Sequence, residues 1–90
     1  MGSLNVHTQE LSGGTITIVS SDNAVRVSII CSSGTITVNG SSTFQSVPSG
    51  PVTFEPGEGI TVTSPALNNP IDGLTVDATG GVADLVISTQ

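Results

Sequence analysis

The chain is 90 residues long and carries a formal net charge of −6, with seven acids, one arginine and no lysine. That length supports a single domain, and one cation cannot neutralise a phosphate backbone or hold an anionic bilayer surface, so the expected partners include neither nucleic acid nor membrane. Charged residues make up only 9% of the chain, whereas Val, Ile and Thr number 31 and Ser 13, a mixture that favours strand over helix almost everywhere.

In chain order, residues 1–13 show no clear alternation and read as an N-terminal arm or linker, with the β-sandwich domain at 14–90. The start, Met1-Gly2-Ser3-Leu4-Asn5-Val6, lacks both the basic stretch and the apolar core of a secretory leader, and Val6 stands where a myristoylation motif needs Ser or Thr. From residue 14 onward, apolar and polar residues alternate in short runs bounded by Gly, Pro, Asn or Ser. The alternation predicts eight strands, at Thr15–Ser20, Ala24–Cys31, Thr35–Val38, Thr43–Val47, Val52–Glu55, Ile60–Ser64, Leu74–Ala78 and Val82–Ser88. Asn39-Gly40 and Gly80-Gly81 fit the positive φ angles of type I′ hairpins. Pro56-Gly57 is expected to fold the fifth run back onto the sixth. The one long break is Pro65–Asp72.

Strands this short and this regularly punctuated, with no helical period, indicate an all-β fold: a single antiparallel β-sandwich or small barrel, jelly-roll-like. One face of the runs collects a candidate core of Ile16, Ile18, Val25, Val27, Ile29, Ile36, Val38, Phe44, Val52, Phe54, Ile60, Val62, Leu74, Val76, Leu85 and Ile87. Cys31 alternates with Val25, Val27 and Ile29 and is expected as a buried thiol. As the only cysteine it makes no internal disulfide. Gly14-Thr15-Ile16-Thr17-Ile18 is echoed by Gly34-Thr35-Ile36-Thr37-Val38, but later copies keep no fixed period, which argues for shared strand composition rather than a solenoid. The Thr-x-Thr pairs read as the solvent sides of strands, since their unequal spacing cannot stack them into one ladder.

No chemical constellation stands out. The single histidine, His7, has no Ser or Asp motif around it, and Asp22, Asp72, Glu55 and Glu58 sit among turn residues. One His and one Cys cannot build a transition-metal site, and Gly80-Gly81-Val82-Ala83-Asp84 departs from the calcium-binding glycine repeat. Without Trp or Tyr there is no aromatic platform for a sugar ring. The expectation is therefore a non-enzyme with no catalytic, cofactor-binding or metal residues and no cofactor. Arg26 is expected on the polar face of its strand, paired with Asp22 or Asp84.

The stretch Pro51–Ser64, with its Phe54-Glu55-Pro56-Gly57-Glu58 centre, resembles the proline, glycine and acid hairpin of small β-sandwich structural proteins of bacteriophage particles. Together with Ile71–Val76 and Val82–Ile87, the C-terminal half resembles head-decoration, fibre-base or tail-associated proteins over about 40 residues. The resemblance implies a virion structural protein, assembled in the host cytoplasm, in which surface shape is the function. Bacterial surface and pilus domains use similar hairpins, so a surface or adhesin-type binding module is the alternative. A mean hydropathy of +0.30 and the missing lysines leave little to hold copies apart, and a homo-oligomer is expected, a trimer favoured, alongside other virion proteins.

Overall fold

The computed structural model describes residues 5–40, 51–64 and 70–89. Among these residues eight strands follow one another: β1 (Asn5–Ser12), β2 (Thr15–Ile18), β3 (Ala24–Gly34), β4 (Ile36–Asn39), β5 (Val52–Phe54), β6 (Gly59–Thr63), β7 (Leu74–Asp77) and β8 (Gly81–Thr89). They form two four-stranded sheets of order β1-β8-β3-β6 and β2-β7-β4-β5, called here sheets A and B. Every pairing is antiparallel. β1 pairs with β8, β2 with β7, β3 with β6 and β4 with β5, so the chain is one long folded ribbon. Rolling that ribbon until β3 meets β8 and β4 meets β7 closes two sheets face to face. This is the jelly-roll arrangement of an eight-stranded sandwich.

The roll corrects the reading of the turns. Pro56-Gly57 does make a tight turn, with the Glu58 N–H donating to the Glu55 carbonyl at 2.9 Å and Gly57 at φ +90°, the geometry of a type II turn. It joins β5 in sheet B to β6 in sheet A, however, and is a corner rather than a hairpin. Gly80-Gly81 likewise carries the chain from β7 in sheet B to β8 in sheet A, and neither glycine takes the positive φ of a type I′ turn. Asn39 continues β4 instead of opening a turn, and β4 pairs with β5. The expected strand Thr43–Val47 lies outside the described residues. Alternation defines strands well but does not distinguish a hairpin from a corner, because both need the same turn residues.

The segment expected as an arm is the second correction. Residues 5–12 form β1, in register with β8 from Asn5↔Thr89 to Ser12↔Val82. Backbone pairing with a long central strand holds it there, since its sequence Asn-Val-His-Thr-Gln-Glu-Leu-Ser is mostly polar and only Leu11 packs against the core. At the other end of the expected second run, Val19 leaves the strand and Ser20–Asp22 form a 3₁₀ turn. The Val19 N–H donates to Asp22 Oδ2 at 2.9 Å and the Ser20 N–H to Asp72 Oδ1 at 3.0 Å, while Asn23 closes the turn at φ 55°. Asp22 and Asp72 are thus turn residues, as their context indicates.

The core lies between the sheets. Val27, Ile29, Val38, Val62, Leu74 and Val76 are completely enclosed there, and Ile18, Val25, Ile36, Leu85 and Ile87 are buried beside them. Ile16, Phe54 and Ile60 are only partly covered because they sit on edge strands. Val52, expected inside, is exposed on the three-residue edge strand β5, and Phe44 lies outside the described residues. Ala24, Ile71, Ala78 and Ala83 join the core unexpectedly, Ile71 from the segment read as a break, where its N–H donates to the Ala24 carbonyl at 2.9 Å. Cys31 is fully buried as a free thiol, within 3.4 Å of the carbonyl oxygens of Ser33 and Gly34. A register shift between Cys31 and Ser33 marks a bulge where β3 bends towards sheet B. Gly34, next in line, has φ +66°, and a Cβ there would lie 2.3 Å from the Gly80 carbonyl oxygen, so the corner accepts only glycine.

Candidate functional site

Alternation along each strand sends every second side chain outward, and the registers line these up in rows. Three rows cross all of sheet A: Val6-Ser88-Arg26-Thr63, Thr8-Val86-Ser28-Thr61 and Glu10-Asp84-Ile30-Gly59. Val6, Val86 and Ile30 are 64%, 40% and 51% exposed. They fall on successive rows of successive strands and form a diagonal apolar stripe. Arg26 lies to one side of it, Glu10 and Asp84 to the other. Arg26 forms no ion pair with any described residue, which corrects the expected pairing. Asp84 stands opposite Ile30, two rows from Arg26, and Asp22 is engaged in its own turn. Glu10 and Asp84 face each other directly as like charges, an arrangement that costs stability within the sheet.

The outer face of sheet B is built differently. Thr15 and Thr37 flank Asp77, and Thr17 and Asn39 flank Thr75. The Thr15 hydroxyl donates to Asp77 Oδ1 at 3.2 Å, and the hydroxyls of Thr17 and Thr75 share a hydrogen bond of the same length. Asp77 Oδ1 also accepts from the Thr79 hydroxyl and from its N–H at 2.9 Å. The Thr79 hydroxyl and then its amide hold the Asp77 carboxyl below its ordinary value; desolvation opposes them, and the Thr15 hydroxyl adds the smallest lowering. The sequence echo acquires a meaning here, since β2 and β4 occupy equivalent places on the two sides of β7.

A groove of about 280 Å³ opens between the edge strands β1 and β2. His7, Gln9, Thr17, Asp22 and Thr89 supply its polar wall, and Ile16, Ile18, Ala24 and Ile87 its floor. It falls just below the range for ligand pockets, roughly 300 to 1,000 Å³. Its imidazole, amide and hydroxyls can exchange hydrogen bonds with a bound segment, but it contains no thiol, and Cys31 lies elsewhere in the core. His7 and Gln9 enter this wall because β1 is a strand, and the polar sequence of residues 5–12 offers little signal of that. Among the described residues no three His, Cys, Asp or Glu side chains come together to hold a metal ion. Nor, among those residues, is any helix long and apolar enough to cross a membrane.

Compared with known proteins, the chain matches no protein family, no curated protein and no solved structure.

Proposed function

We propose that this chain is a non-enzymatic structural protein of a virus particle, a bacteriophage capsid-decoration or head- or tail-associated component. It acts by assembly through its β-surfaces, in the host cytoplasm, with copies of itself and other virion proteins as partners. The observation that carries this reading is the outer face of sheet A, where Val6, Ile30 and Val86 stand exposed on an ordered sheet whose three rows hold only Arg26, Glu10 and Asp84 as charged residues. The acids elsewhere support it: Asp22, Asp72, Asp77 and Glu58 all accept hydrogen bonds within turns or strands. A jelly roll is also the architecture of many capsid domains, a support by analogy of fold alone.

The groove beside β1 favours the second reading, a bacterial surface or adhesin-type binding module, in which His7, Gln9 and Thr17 would grip a partner segment. Mass spectrometry of density-gradient-purified particles from cells carrying the gene separates the two. Fixed-stoichiometry recovery in the particles supports the virion reading; recovery in the cell envelope with none in particles overturns it.

A further inference from the structure

The geometry points to a two-fold pair of copies joined face to face through sheet A, with the Val6-Val86-Ile30 stripe of each copy lying along that of the other. This inference rests on the reading of the chain as an assembly module and names the surface and the partner, a second copy. The argument is one of symmetry and charge. Rows on this face are about 6.8 Å apart and strands about 4.8 Å, so the stripe runs at about 35° to the strands. A two-fold axis along the stripe stacks each apolar side chain near its own counterpart and exchanges the two flanks. Arg26 lies on one flank and Glu10 on the other, at equal distance from the stripe by the register. The exchange therefore carries Arg26 of each copy to the Glu10 side of the other, and Ser28 to Asp84.

Within one copy, Arg26 has no ion pair among the described residues, and Glu10 and Asp84 repel each other across β1 and β8. The pair answers both conditions twice over, as a self-complementary interface requires. The sheets then cross at about 70°, nearer the orthogonal class of sheet packing than the aligned one. Four strands by about eight residues give a face of roughly 19 by 27 Å. Crossed at that angle, the two faces overlap over about 380 Å² each and bury on the order of 800 Å² together, in the range of weak, transient interfaces, so a reversible dimer is expected.

Sedimentation equilibrium of the full chain from micromolar to submillimolar concentration tests this, with circular dichroism confirming that each variant is folded. The wild type should form a dimer weakened by salt. Arg26→Glu and Val86→Glu should each weaken it on the order of tenfold or more, and Arg26→Glu combined with Glu10→Arg should restore it, because the double change exchanges the charges without altering the surface otherwise. Association at any mass, a trimer included, that ignores Arg26→Glu overturns this face while leaving assembly intact. A monomer throughout overturns the pair, and recovery in purified particles then decides the virion reading by itself.

Discussion

The two sheets present the same backbone and many of the same β-branched side-chain shapes to solvent, yet their outer faces differ in one respect, an apolar stripe that sheet A has and sheet B lacks among the described residues. Sheet B meets water with threonine hydroxyls that hydrogen-bond to one another and to Asp77. Sheet A meets it with Val6, Val86 and Ile30, beside a hydroxyl pair that joins Ser28 to Thr61 at 3.1 Å. Thr and Val are nearly isosteric, so strand propensity treats them alike, and the difference lies wholly in what the surface does with water. A face of satisfied hydroxyls gains little by being covered, whereas a face with exposed Val and Ile gains by burial.

The sharpest test of that contrast uses adjacent residues. Ile29 is fully buried and Ile30 is 51% exposed, one on each side of the same strand. Ile29→Ala is expected to cost about 2 to 5 kcal/mol. Ile30→Thr, measured in dilute solution, should stay within about 0.5 kcal/mol. Urea unfolding of both variants checks the pair, and equal losses would mean that the outer face of sheet A is covered within a single copy.

The corners that join the sheets offer a smaller contrast. Gly34→Ala forces a Cβ against the Gly80 carbonyl at a positive φ and is expected to cost about 1 to 3 kcal/mol. Gly57 also has a positive φ, +90°, but open space where its Cβ would go, so Gly57→Ala should cost only the backbone strain, about 1 kcal/mol. Thermal unfolding of the two variants should rank them in that order.

Asp77 tests the polar face through pH. Its carboxyl is held below the ordinary value in the folded chain, so it favours the folded state above the unfolded value, about 3.9. That contribution disappears as pH falls through the lower, folded value. Asp77→Asn should leave a flatter loss of stability between neutral pH and strong acid than the wild type shows, read as the unfolding midpoint against pH. An unchanged acid limb would show that the Thr79 and Thr15 hydrogen bonds do not favour the ionised form. The smallest effect is expected at Arg26. Arg26→Gln should move the stability of the dilute chain by no more than about 0.5 kcal/mol, and a loss above about 3 kcal/mol by the same urea titration would place the guanidinium in a buried contact.

The strands from residue 14 onward were legible in the sequence because period-two alternation of Val, Ile and Thr is itself the physical cause of a half-buried strand. Burial of Cys31 followed from the same alternation. β1 was not legible, since Asn5–Ser12 contributes one core side chain and is held mainly by backbone bonds to β8, which composition does not record. For the same reason the groove with His7 and Gln9 could not be foreseen. Val6, Val86 and Ile30 were visible as apolar residues, but their alignment depends on three registers between strands far apart in the chain.

The sequence by itself determined that this chain is made of strands, where most of them run and which side chains of the central strands face inward, because those properties follow from alternation within a few neighbouring residues. Only the tertiary structure decided which turns are corners, which strand closes against which, and which outer face carries the apolar stripe. Those outcomes depend on backbone hydrogen bonds between distant segments. Every residue but proline supplies the same N–H and C=O for them, so local sequence cannot single out the partner.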